Sequence, residues 1–314
     1  MEEKIKIRCQ QDQRVFTLFC ALNLTEHNKI KESILKVSPQ YHQIQKHLKK
    51  NHNKFISKFT TFFKKDHYIQ YLIWVLRHSE FPDFELKAKN EDSIQHSDIW
   101  FAGFDKIIKE FYLEAKIDNL WDDIQANNNQ AIKWYKEKTQ KSVLQIMDIF
   151  KNEKLFFQEV CIVPNLLETL GAGCGVLVSS TAYIVFGSTY NESKDTDLIA
   201  HELLHNIINP IIDNDPILKK QFKVFKDIYL KITTPDSRKY YSKWEWVGYE
   251  YLVKIVHAQI MPVNKREKYF NLENKWGFPK VEEYFSIYQN CKKISKSYQE
   301  ILLNTLREIR RVSL

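Results

Sequence analysis

Glycine and proline are scarce in this chain, with seven and eight among 314 residues. That excludes Gly-rich linkers, collagen-like repeats and low-complexity tracts, and it predicts long helices joined by short connections. The five cysteines (Cys9, Cys20, Cys161, Cys174, Cys291) are odd in number, scattered, and form no CxxC pair. Neither a disulfide framework nor a cysteine zinc site is indicated. No apolar run approaches the roughly 18 residues of a membrane span. The opening MEEKIKIRCQQ lacks the apolar core of a signal peptide. A cytoplasmic protein is the expectation, or a secreted one had a leader been removed.

Aromatic residues are plentiful. Twenty Phe and sixteen Tyr supply the bulk of a core and exclude a disordered chain. The net charge of +8 is unevenly placed, with ten lysines and one acid, Glu32, between Asn28 and Lys65. Such a segment can bind phosphate backbones or an anionic surface. It has no arginine cluster, and its aromatics fall at helical spacing. The reading adopted is a solvated helical face, with nucleic acid not expected as a partner.

Lys4 to Cys9 reads as a short strand and Arg14 to Leu22 as a helix. From Pro39 to His78, Phe55, Phe59, Phe62 and Phe63 make one apolar stripe, and Ile69, Leu72, Ile73, Val75 and Leu76 another. A further helical set runs from about Ser97 to Lys151. Residues 1–152 therefore read as a mostly helical N-terminal lobe, and residues 153–314 as a separate region. Leu155 to Val163 has strand composition. Gly171, Gly173, Gly175 and Gly187 follow, four of the seven glycines within seventeen residues. Around them, Val176 to Val178 and Tyr183 to Phe186 read as adjoining strands with a turn at Ser179 to Ala182. Backbone so rich in glycine must bend sharply or approach something closely. Helices return after Asn191: one capped by Asp195 or Thr196 and stopped by Pro210, then others from Asp215 to Lys231, Ser242 to Ile260, Pro279 to Asn290 and Ser295 to Arg311. The fold class expected is α+β, mostly helical, with a small β-sheet.

The segment His201-Glu202-Leu203-Leu204-His205 falls on the first of these returning helices. Two histidines four apart project from one helical face and can grip one ion. Neutral imidazole suits zinc, whose catalytic sites use three protein ligands and leave a position for water. Glu202, beside the first histidine, can take the proton of a water attacking a carbonyl. A zinc-dependent metallopeptidase acting on a peptide or protein substrate is expected, with Zn²⁺ as cofactor. The alternative is a zincin-shaped binding protein that keeps the metal without turnover.

The third ligand lies elsewhere. An HExxHxxGxxH pattern would need Gly and His where Ile208 and Ile211 stand, and His257 is the only later histidine. Glu245 and Glu250, in WEWVGYEY, are the candidates for a downstream glutamate. Glu250 shares a helical stripe with Trp246, Val253 and His257, and Glu245 one with Tyr249, Leu252 and Val256. A carboxylate among such neighbours is costly to bury unless paired or metal-bound, which applies equally to both.

The chain resembles a group of poorly characterised, mostly bacterial proteins of zinc-metallopeptidase type that share a domain of unknown function. The matching stretches are DQRVFTLFCAL at Asp12, HELLHNIINP at His201, WEWVGYEYLVK at Trp244 and GFPKVEEY at Gly277, and they spread over nearly the whole chain. The resemblance implies a gluzincin-like, zincin-type core and places the downstream glutamate at Glu250. It supplies no substrate. Members of the group often carry a secretion leader, which this chain does not show.

On this reading His201, His205 and Glu250 hold the metal, with Glu202 as base and later proton donor to the leaving amine. Tyr249 and His257, on the Glu250 helix, are candidate donors to the oxyanion, and stripe geometry favours His257. Asn206 and Asn209 are either partners orienting a histidine or part of a helix stop. The strand Tyr183 to Phe186 is expected to edge the cleft and pair with an extended peptide. Cys174, with no histidine near it in sequence, reads as a small buried residue.

Overall fold

The computed structural model describes residues 5–25, 36–63, 68–87, 101–151, 153–189, 192–235, 238 and 241–313. The outer parts of the lysine-rich segment and the expected helix start near Ser97 fall outside them. The chain is α+β, mostly helical, with one four-stranded mixed sheet. It forms two compact units that interleave in sequence. The first comprises residues 1–140 and 157–199, and the second residues 141–156 and 200–314. The strand-rich segment after residue 157 thus belongs with the N-terminal helices. Among the described residues, no helix is long and apolar enough to cross a membrane.

The first unit opens with β1 (Lys6–Cys9) and α1 (Gln13–Leu24). Asp12 caps α1 by accepting the backbone N–H groups of Arg14 and Val15, satisfying two of its orphan donors. Helices α2 (Pro39–Asn51), α3 (Lys54–Thr60), α4 (Tyr68–Leu76), α5 (Phe104–Glu114) and α6 (Ile117–Ile149) follow. The expected aromatic stripe packs inward. Phe59 meets Phe55, Phe63, Phe104 and Phe111 at ring separations of 5.1 to 6.0 Å. The lysines of α3 are paired rather than free: Lys58 donates to both Glu110 oxygens at 2.7 and 2.8 Å, and Lys54 pairs with Glu114.

The sheet has the order β1-β2-β4-β3, with β2 (Glu159–Pro164), β3 (Gly173–Val178) and β4 (Thr181–Phe186). β2 lies parallel to β1 and β4, and β3 runs antiparallel to β4 with Val178 opposite Thr181. Ser179 turns this hairpin at a positive φ of 53°. The glycine cluster shows close approach at Gly187, where a Cβ would stand 2.1 Å from the Thr169 carbonyl oxygen.

Helix α7 (Glu192–Asn214) departs from expectation at both ends. It starts before Asp195, whose carboxylate does not cap it. Asp195 instead accepts from Thr189 N at 2.9 Å, Thr189 Oγ1 at 2.6 Å and Tyr135 Oη at 2.6 Å, tying down the connection after β4. Pro210 does not stop it either; the proline removes one donor and the helix carries on for another turn. The second unit continues with α8 (Pro216–Phe222), capped by Asp215, and α9 (Val224–Ile232). Then come α10 (Trp244–Ile260), α11 (Val263–Lys275), α12 (Val281–Ile294) and α13 (Tyr298–Ser313).

Helix α10 is the centre of this unit. Val247, Gly248 and every residue from Tyr251 to Ala258 are buried. A helix apolar on nearly all faces can be stable only inside a core. Its buried Val, Leu and Ile side chains stabilise by about 1.5–3 kcal/mol each. Charged or ionisable residues embedded in such a helix therefore demand an explanation, and there are three on one face: Glu250, Lys254 and His257.

Candidate metal centre

The second unit brings His201 and His205 on α7 together with Glu250 on α10. The two imidazole Nε2 atoms are 3.3 Å apart. Glu250 presents Oε2 to His201 Nε2 at 3.4 Å and Oε1 to His205 Nε2 at 3.3 Å. The three side chains are only 12 to 14% exposed. Among the described residues this is the one group of three or more His, Cys, Asp or Glu side chains able to hold a metal ion. Among the described residues Glu250 Oε2 is buried without an aligned hydrogen bond, and its near neighbours are His201 Nε2 and Lys254 Nζ, each at 3.4 Å.

The electrostatics fit a carboxylate kept ionised. Burial pushes Glu250 up, but the Lys254 ammonium and the two histidines outweigh it and hold the carboxyl well below the usual range. Burial pulls the His205 imidazole down, and the hydrogen bond and charge of Glu250, joined by Glu202, overcome this and raise it. His257 has no such partner: burial, then His201 and Lys254, keep it well below the usual histidine range, so it is neutral. Its ring lies 5.9 Å from that of His201 and 5.5 Å edge-on to Tyr269.

The remaining sequence-predicted residues divide. Glu202 is buried, and its charge acts on His205 and on Tyr241. Asn209, one turn beyond His205, places a buried side-chain oxygen beside that imidazole. Tyr249 is not brought to the cluster; it stacks on Phe222 at 4.6 Å and donates to Asp213 Oδ1 at 2.6 Å. Glu245, in the first turn of α10, also stands outside the group. Periodicity explains both: residues 245 and 249 share a helical face that residue 250 does not.

Three residues at the site went unseen in the sequence. Lys254, one turn beyond Glu250, places Nζ 3.4 Å from Glu250 Oε2 and 2.7 Å from Glu273 Oε2. Glu273 comes from α11, a helix that the sequence reading left out. Tyr241, just before α10, is the third. Its backbone oxygen accepts from Tyr229 Oη at 2.8 Å and its ring packs edge-on to Phe278. Its hydroxyl reaches Glu250, and burial, with the charges of Glu250, Glu202 and Glu273, holds the phenol well above its usual range. It is therefore a protonated donor in an acidic pocket. Compared with protein-family models, with curated proteins and with solved structures, the chain shows no match.

Proposed function

We propose that this chain is a zinc-dependent metallopeptidase of the gluzincin type, with a zincin-like core, hydrolysing peptide bonds in a peptide or protein substrate. The observation that carries the reading is the spacing of the donors. Ligand bonds of about 2.0–2.1 Å in tetrahedral geometry put neighbouring donor atoms about 3.3 Å apart. The two imidazole nitrogens stand 3.3 Å apart, with a Glu250 oxygen 3.3 to 3.4 Å from each. Charge supports the same reading. Among the described residues, the carboxylates of Glu250 and Glu273 both lie within 3.4 Å of one buried ammonium, Lys254, which leaves that trio with one formal negative charge for a cation to offset.

When bound, the ion supplies Lewis-acid polarisation of a water and of the scissile carbonyl. Glu202 takes the proton of the attacking water and delivers it to the leaving amine. Tyr241 donates its hydroxyl hydrogen to the oxygen that gains negative charge, the role for which Tyr249 and His257 were the sequence candidates. His257, neutral, packs its ring against that of His201 and supports the position of that ligand. Two histidines and a carboxylate also hold iron in oxygenases. A buried base next to the first histidine favours hydrolysis, because oxygen activation has no use for it.

Metal analysis of the purified chain, with His201→Ala as control, tests the centre. About one zinc per chain, lost in the variant, is expected; iron in its place would point to oxygenase chemistry. Cleavage of a peptide library, abolished by Glu202→Gln, tests the reaction. Zinc bound with no cleavage of any peptide would instead make the chain a metal-holding binding protein.

A further inference from the structure

Lys254 is a buried cation that the proposed reaction does not use. It is 8% exposed, sits in the middle of α10, and lies 4.7 Å over the ring of Phe278. Tyr269, on α11, donates to its backbone oxygen at 3.3 Å, so the residue is anchored at both ends. Burying an ammonium beside a cation site is costly and, by itself, repels the ion. Glu273, at 2.7 Å, cancels that repulsion.

The relationship to Glu250 is directional. The carboxylate faces the histidines symmetrically, one oxygen to each, and that posture would let both oxygens ligate. The asymmetry comes from Lys254, whose nearest approach to the carboxylate is at Oε2, 3.4 Å away. An ammonium beside one oxygen competes with the ion for it and leaves Oε1 as the better ligand. Glu273 sets the strength of this competition, because it holds the same ammonium more closely than Glu250 does.

Resting on the metallopeptidase reading, we infer that Lys254 and Glu273 form a charge-balanced positioning pair that makes Glu250 a one-oxygen ligand and so preserves an open position on the metal. Neither residue touches substrate. Groups that orient metal ligands from behind are commonly worth about 10–100-fold in metal affinity.

The test is titration of the full chain with zinc and with cobalt, reading affinity by chelator competition and coordination number by the visible absorption of cobalt. Lys254→Met frees Oε2, so a second Glu250 bond should form. The intense four-coordinate band should weaken, and zinc affinity should change by about tenfold or more. Glu273→Gln turns the whole ammonium onto Glu250. The band should keep its four-coordinate form while zinc affinity falls by about 10–100-fold. The double variant, Lys254→Met with Glu273→Gln, leaves no unpaired charge. If the pair serves stability alone, the double variant recovers the original spectrum and affinity. If the pair positions Glu250, it keeps the weakened band.

A cobalt spectrum and zinc affinity unchanged in Lys254→Met overturn the inference while leaving the metallopeptidase reading intact. Should Lys254→Met not fold, Glu273→Gln decides alone, since unchanged affinity there removes the pairing. If the unaltered chain takes up neither metal, the metallopeptidase reading fails first and the inference goes with it.

Discussion

Gly248 lies so close to Phe222 that a Cβ at residue 248 would stand 2.6 Å from the ring carbon Cζ, and 2.9 Å from Phe225 Cδ2. Glycine in a helix interior costs about 1 kcal/mol relative to alanine, so its presence in α10 marks a backbone that must pack directly on α8 and α9. Glu250 is two residues further along the same helix. Gly248→Ala would gain the propensity term but incur overpacking of about 1–3 kcal/mol. The expected net is a loss of about 1 kcal/mol in stability and a weaker metal site, as α10 shifts outward. Thermal unfolding and zinc titration of the variant check both. A variant more stable than the original, with unaltered affinity, would show that the rings simply move aside.

Bound metal should stabilise the chain. An ion that binds only the folded state adds about 2.7 kcal/mol at a free concentration one hundred times its Kd. A rise of several degrees in Tm on adding zinc is expected, reversed by chelator and absent in His205→Ala. The dependence should be logarithmic in free zinc. A Tm indifferent to zinc at concentrations that saturate the site would contradict a folded-state ligand cage.

Most of the helices and all of the strands could be read from apolar periodicity, and so could the two histidines, because both depend on residues near in sequence. What escaped depended on distance or context. Helix α11 follows Pro262 and buries only Tyr269 and Glu273, too little apolar pattern to register as a helix. Lys254 and Glu273 carry no signal of their own in the sequence, since a buried ion pair is recognisable only when its partner, from another helix, is in view. Tyr241 sits in a connection where no periodicity applies. Pro210 reads as a stop because proline is disfavoured in helix interiors, yet the buried Ile211 and Ile212 carry α7 past it. The choice of Glu250 over Glu245 could not come from one helix's periodicity, as both stripes are apolar. It depends on which face of α10 meets α7.

Thiol chemistry should be absent at neutral pH. All five cysteines are buried, and none is in a disulfide. Burial pushes the Cys9 and Cys161 thiols up to about 12, with Cys161 adding to the effect at Cys9 and Arg8 opposing it at Cys161. The thiolate is the reactive form, so raising the pKa lowers reactivity throughout the physiological range and restores it only in strong alkali. Native protein at pH 7.5 should resist an alkylating reagent, with five thiols appearing on denaturation. Rapid modification of Cys174 in the folded state would instead make it an exposed nucleophile.

Loss of Glu202 or of Tyr241 should lower turnover while leaving metal content unchanged. Both sit beside the ligands without being ligands, so Glu202→Gln and Tyr241→Phe should keep the metal. Loss of a general base costs about 10²–10⁴-fold in turnover, and loss of one oxyanion donor about 10²–10³-fold. In Tyr241→Phe the deficit should fall on kcat with KM nearly unchanged, because the hydrogen bond to the oxyanion strengthens only as charge develops. Tyr249→Phe, which loses only the bond to Asp213, should turn over peptide like the original. If Tyr249→Phe is the defective variant and Tyr241→Phe is not, the donor lies on the other face of α10 and the assignment of Tyr241 is wrong. A Tyr241→Phe protein that loses its zinc would make the phenol a support for Glu250 rather than a partner of the substrate.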